Sequence, residues 1–212
     1  TSPLVHCVKS CIFRGAVAMV GCNNPKVRPD VAHIGLMKKF LENDIIVITT
    51  GCSAQAAAKA GLMDKRAKDL CGAGLKRVCE LADIPPVLHM GSCVDISRMM
   101  ILAAEIAKDS GWKISEIPVL GCAPEWMSEK AVSIGNYVVA TGIDTYLGVE
   151  PYATGSEEVK KLIIGFNGIL REAIGLALVA FFKFVLVVCL VDKMTCAFSG
   201  RNNEHITVYL FV

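Results

Sequence analysis

Apolar runs of strand length recur along this chain, each giving way to a segment with helical spacing, and that alternation leaves few folds open. The runs are Ala16–Val20, Ile45–Thr49, Val87–Met90, Pro118–Leu120 and Tyr137–Ala140, with a weaker one over Thr145–Val149. Between them, Val31–Leu41 carries Ile34, Met37 and Leu41 on one face and Lys38 and Lys39 on another. Ala54–Gly61 is alanine-rich, Leu75–Ala82 is short, and Ile96–Lys108 repeats apolar residues at helical intervals. Ser128–Asn136 reads as a further helix with Ser128 as its cap. Strand–helix pairs that each fill roughly 30–40 residues predict βαβ units. Right-handed crossovers then place helices on both sides of the sheet. The expected fold is α/β: a Rossmann-like, open, mostly parallel sheet with helices on both faces. A chain of 212 residues suffices for one sizeable core.

In such a sheet the residues just past each strand share the carboxyl edge, where ligands bind. Cys22, Cys52 and Cys93 all fall there. A glycine directly precedes Cys22 and Cys52, and Ser92 separates Gly91 from Cys93. Glycine allows a tight turn and close approach to a bulky ligand. A thiolate near a helix N-terminus is stabilised by free N–H groups and the helix dipole. Converging soft, anionic ligands suit iron–sulfur or nickel chemistry better than magnesium or calcium. Zinc stays open, although the close CxxC pairs usual in structural zinc sites are absent. The competing reading is that each cysteine is a small buried apolar group, and Cys7, Cys11, Cys71, Cys79, Cys122, Cys189 and Cys196 are read that way. Lys130, near the start of the last helix, is either an ordinary solvated lysine or a donor to a reacting oxygen in the crevice. Glu125 and Glu129 are read as helix-start charges, and His89 as a core histidine inside a strand. His6, His33 and His205 have no placing motif.

Hydrophobic residues make up 53% and charged ones 20%, so most of the chain is expected to fold. Scattered Lys and Arg with a net charge of +2 give no footprint for nucleic acid. Ten cysteines without a secretory leader at the start of the sequence point to a reducing compartment, hence a cytoplasmic location. Two regions are expected: residues 1–172 as the sheet domain and residues 173–212 as an atypical tail. Ala173–Val191 has only Lys183 charged. A core helix, a membrane anchor and the product of a reading-frame slip compete there; a lysine near the middle argues against the anchor.

Four strings in one order, "VGCNNPKVRPD", "TTGCSAQAAAKAG", "PPVLHMGSCVDISR" and "APEWMSEKAVSIG", resemble the C-terminal part of the catalytic subunit of anaerobic nickel-containing carbon monoxide dehydrogenases. The resemblance runs from about Lys9 to Ala173. "TGIDTYLGVEP" is most similar to the branch that works with acetyl-CoA synthase. The resemblance implies reversible oxidation of CO with water to CO2, two protons and two electrons at a nickel–iron–sulfur C-cluster. It implies that Cys93 is the thiolate on nickel and that Cys22 and Cys52 hold irons of the cubane. Lys130 then hydrogen-bonds the substrate-derived oxygen or carboxylate, and Ile134 is an apolar pocket residue beside nickel. The implied partners are a ferredoxin-like electron acceptor and an acetyl-CoA synthase subunit. The implied parent is a homodimer with further 4Fe-4S clusters, and no membrane or nucleic acid is involved.

The family's other C-cluster ligands, a histidine and two cysteines, lie upstream of anything in this sequence. The chain is therefore expected to be a fragment, inactive by itself. Cys11 stands where the family has glycine, and the charged C-terminal helices of the family are replaced by the apolar run, which favours the frame slip. Two alternatives remain: a fragment of a hybrid cluster protein, which reduces hydroxylamine or nitric oxide, and a non-catalytic α/β domain.

Overall fold

The computed structural model of the chain describes residues 2–10, 12–149 and 155–158. The tail expected over 173–212, with Cys11, Cys189, Cys196 and His205, lies outside the described residues.

Five strands form one sheet: β1 (Gly15–Met19), β2 (Ile45–Thr49), β3 (Val87–His89), β4 (Val119–Ala123) and β5 (Thr145–Leu147). Their order is β3-β2-β1-β4-β5, and every pairing is parallel. The order reverses between β1 and β4, so the crevice characteristic of doubly wound sheets opens past the ends of those two strands. The interior strand β2 is IIVIT, with Ile45, Ile46, Val47 and Thr49 buried, as a parallel strand covered on both faces requires.

Two apolar clusters sandwich the sheet. One gathers Val17, Met19, Ile46 and Val47 with Met37 and Phe40 of α2 (Val31–Glu42) and Leu75 and Val78 of α4 (Ala73–Ala82). The other joins Met100 and Ala103 of α5 (Ile96–Ser110) to Val138 of α6 (Glu129–Ala140). Strand alternation feeds both: on β4, Val119 packs with the second cluster, and Leu120 and Cys122 with the first. The helix α3 (Gly51–Lys59) follows β2 directly. A further helix, α1 (Ser2–Lys9), was not expected from the spacing. It is tied to the end of α5 by Lys9, which donates to the Ser110 carbonyl at 3.0 Å and sits 5.2 Å from the Trp112 ring centroid.

One expected strand is overturned. Tyr137–Ala140 is the last turn of α6, with Val138 buried and Tyr137 exposed. A four-residue apolar run does not reveal its period, and here Ile134 and Val138 recur at the helical interval of four. Ser128 caps this helix as expected, its hydroxyl accepting from the Ala131 N–H. The weaker run over Thr145–Val149 does form a strand, over Thr145–Leu147.

Candidate metal centre

Each of the three cysteines leaves its strand differently. Cys22 stands in an irregular loop, nine residues before α2 begins, so no helix dipole of its own reaches it. Cys52 is the second residue of α3, and Cys93 lies three residues before α5. The expectation of a thiol at a helix N-terminus therefore holds closely for Cys52, and for Cys22 it does not.

Two glycines set the turns. Gly51 has φ +60°, and a Cβ on it would come within 3.0 Å of the Cys93 Cβ, so only glycine lets the second and third cysteine turns pack together. Gly91 has φ +122° and lies against the Asp95 carboxylate, which accepts from the Ser92 N–H at 2.7 Å and the Ser92 hydroxyl at 2.9 Å. Those donors hold the Asp95 carboxyl below its ordinary range and lock the Cys93 turn from behind.

Lys130 is exposed at the rim, in the first turn of α6, and its Nζ donates to Cys93 Sγ at 2.9 Å. Its pKa is raised, first by the hydrogen bond and the charge interaction with Cys93 and further by the nearness of Cys22 and Cys52. Cys22 Sγ lies 3.8 Å from the Ser128 hydroxyl. Beneath them a cavity of about 70 Å³ runs between the sheet and the α5–α6 layer, with an almost wholly apolar lining. Cys22, Cys93, Lys130 and Ile134 line it together, and Ile134 stands one helical turn beyond Lys130. Cys52 is half-buried and does not face this cavity; it joins the group through its nearness to Lys130 and through the close approach of its neighbour Gly51 to Cys93.

Among the described residues, no three His, Cys, Asp or Glu side chains close on a single ion. Three separated soft donors fit a bulky multi-metal group better than one zinc. A second observation supports that fit. Among the described residues, six buried side-chain polar atoms have no hydrogen-bond partner. Four of them, Asn23 Oδ1, Thr49 Oγ1, Thr50 Oγ1 and Ser53 Oγ, belong to residues within three positions of Cys22 or Cys52. Buried polar groups are rarely left unpaired, and Thr50 among these four also lines the cavity, where a polar occupant would meet it.

Two residues behind the Cys22 loop have partners that the sequence does not disclose. His33 is fully buried, with Nε2 at 3.0 Å from the Cys22 carbonyl. Glu125, also fully buried, accepts from the backbone N–H groups of Asp30 at 3.0 Å, Ala32 at 3.0 Å and His33 at 3.4 Å. It is a helix-start charge, but it serves α2 and not the helix that follows it in sequence. No local signal reveals this, because Glu125 and α2 are about ninety positions apart. His89 also departs from expectation: it ends β3 exposed and is no core residue. Cys79 and Cys122 are buried, as a structural reading requires, and burial pushes the Cys122 thiol up.

The Prismane/CO dehydrogenase family model matches residues 4–174. The chain belongs to that family. It is 49% identical over 170 residues to carbon monoxide dehydrogenase 1 of Methanosarcina acetivorans, covering 80% of this chain and 27% of that protein. It is 42% identical over 158 residues to the carbon monoxide dehydrogenase/acetyl-CoA synthase subunit beta of Moorella thermoacetica, covering 70% of this chain and 23% of that one. The as-isolated, nickel-free carbon monoxide dehydrogenase of Thermococcus sp. AM4 superposes with a TM-score of 0.80 at 42% identity, covering 91% of this chain and 30% of that chain. This chain thus spans about a quarter of the length of the curated relatives it matches. No helix among the described residues is long and apolar enough to cross a membrane.

Proposed function

We propose that this chain is the part of a nickel–iron–sulfur carbon monoxide dehydrogenase that supplies Cys22, Cys52 and Cys93 to the C-cluster, with Lys130 and Ile134 at the substrate position. The reaction is CO plus water to CO2, two protons and two electrons, in either direction. The observation that carries the reading is the Lys130 ammonium resting on Cys93 at the mouth of an apolar cavity that Cys22 and Ile134 also line. When bound, the cluster supplies soft metal positions for CO and a water-derived oxygen and accepts the two electrons. Lys130 would stabilise negative charge on the substrate oxygens from its fixed position beside Cys93 at the rim. Ile134 keeps water from the open side of the pocket, which suits a small apolar gas. Cys93 would hold nickel, and Cys22 and Cys52 would hold irons.

The remaining ligands and the further 4Fe-4S clusters belong to parts of the parent outside this chain, which by itself is inactive. Electrons leave to a ferredoxin-like acceptor in the cytoplasm, and an acetyl-CoA synthase subunit is the partner of the homodimeric parent. The sheet domain occupies residues 1–172, a boundary supported by the family match ending at residue 174. Residues 173–212 are atypical of the family in sequence.

Anaerobic loading of the full-length protein with iron, sulfide and nickel tests the reading. The expected result is bound nickel and iron with CO-dependent dye reduction, and loss of nickel with most iron retained in Cys93→Ala. Iron without nickel would turn the assignment toward hybrid-cluster chemistry. Neither metal would leave a non-catalytic α/β domain.

A further inference from the structure

Thr50 is 1% exposed and stands immediately before α3, in the extended conformation usual for a helix cap. Its hydroxyl nevertheless accepts no helix N–H and has no other partner. The side chain lines the same cavity as Cys22, Cys93 and Lys130, two residues before Cys52. A threonine at a cap position normally spends its oxygen on the helix. One that leaves its buried hydroxyl unpaired beside an apolar cavity carries a desolvation cost that an occupant of the cavity would relieve.

We infer that Thr50 donates its hydroxyl proton to a sulfur of the group held by Cys22, Cys52 and Cys93, and thereby raises that group's reduction potential. The inference rests on the cluster reading above and deepens it. The chemistry is that of a neutral donor facing anionic sulfur. The reduced form carries one more negative charge than the oxidised form, so a hydrogen bond to sulfur favours reduction. Low dielectric around the cavity enlarges the effect. Lys130 performs a charged version of the same task on Cys93. The Ser128 hydroxyl stands beside Cys22 while accepting from Ala131, which leaves its own proton for sulfur. Thr50 is the donor on the Cys52 side.

The test compares Thr50→Val, which removes the hydroxyl and keeps the shape, with Thr50→Ser, which keeps the hydroxyl. In metal-free full-length protein, Thr50→Val melts at a higher temperature than the parent, because the deleted hydroxyl had no partner. In protein loaded with iron, sulfide and nickel, its midpoint potential, followed by electron paramagnetic resonance in a redox titration, moves to more negative values at unchanged metal content. Thr50→Ser restores the parent potential. An unchanged midpoint in fully loaded Thr50→Val overturns the role of Thr50 and leaves the cluster reading standing. A lower melting temperature of metal-free Thr50→Val shows a partner within the protein and also overturns it. Parent protein that binds no iron overturns both.

Discussion

Lys130 carries its charge at the rim of a crevice whose other side is sulfur, and its helix position alone does not disclose that. Its amine reaches 2.9 Å from Cys93 because Ser128 starts α6 at a fixed point and because Gly51 and Asp95 fix the Cys93 turn. Arginine would bring a wider, planar group, and glutamine a neutral one. Lys130→Gln is expected to lower CO oxidation by the loaded full-length protein about 100- to 1,000-fold, the usual loss when a preorganised donor is removed. Iron and nickel content should stay at parent levels, since the proposed role of Lys130 is to supply charge and not to bind metal. Metal analysis beside a dye-reduction assay checks both halves, and a large loss of iron would make Lys130 a structural residue.

At the scale of elements, the clearest dependence is that of α2 on β4. The residue before α2, Asp30, has φ 68° and makes no side-chain cap. The free N–H groups at this helix start turn instead to Glu125, delivered by the loop after β4. A second bond crosses the same seam: Asn24 Nδ2 donates to the Trp126 carbonyl at 2.9 Å. Together these bonds hold the Cys22 loop against the loop that leads into Lys130. Glu125→Ala strands three amide donors, two of them part-buried and that of His33 buried, and should destabilise the fold by about 2–5 kcal/mol in urea titration. Glu125→Gln keeps one acceptor oxygen and should cost less. Equal losses in the two variants would mean that packing around Glu125, and not its hydrogen bonds, holds the seam.

For the whole molecule, burial at β4 and β5 sets the response to alkali. Burial pushes the Tyr146 phenol up from 10.0 to about 12, helped by nearby Cys122, and raises the Cys122 thiol above its ordinary 9.0. Both groups are neutral when protonated, so the folded chain keeps protons that the unfolded chain releases. Between the unfolded and folded pKa values the folded state binds more protons, and stability falls as pH rises. Melting temperature should hold through neutral pH and decline from about pH 9 upward. Tyr146→Phe should flatten the upper part of that decline, and a melting temperature constant to about pH 11 would contradict it.

The alternation of runs and spacings determined the parallel sheet by itself, because periods of two and near four are local properties that need no partner. The glycine-cysteine turns were legible for the same reason, and with them Cys22, Cys52 and Cys93 as neighbours along one edge. The ends of elements were less so: Tyr137–Ala140 reads equally as strand or helix until packing of Val138 decides. Only the tertiary structure could decide which distant groups meet. Glu125 caps a helix begun some ninety residues earlier, His33 bonds the Cys22 carbonyl, and Thr50, which makes no bond to its own helix, lines the cavity. Hydrogen bonds and close contacts between loops depend on sheet order and strand register, and neither is written in the spacing of any single segment.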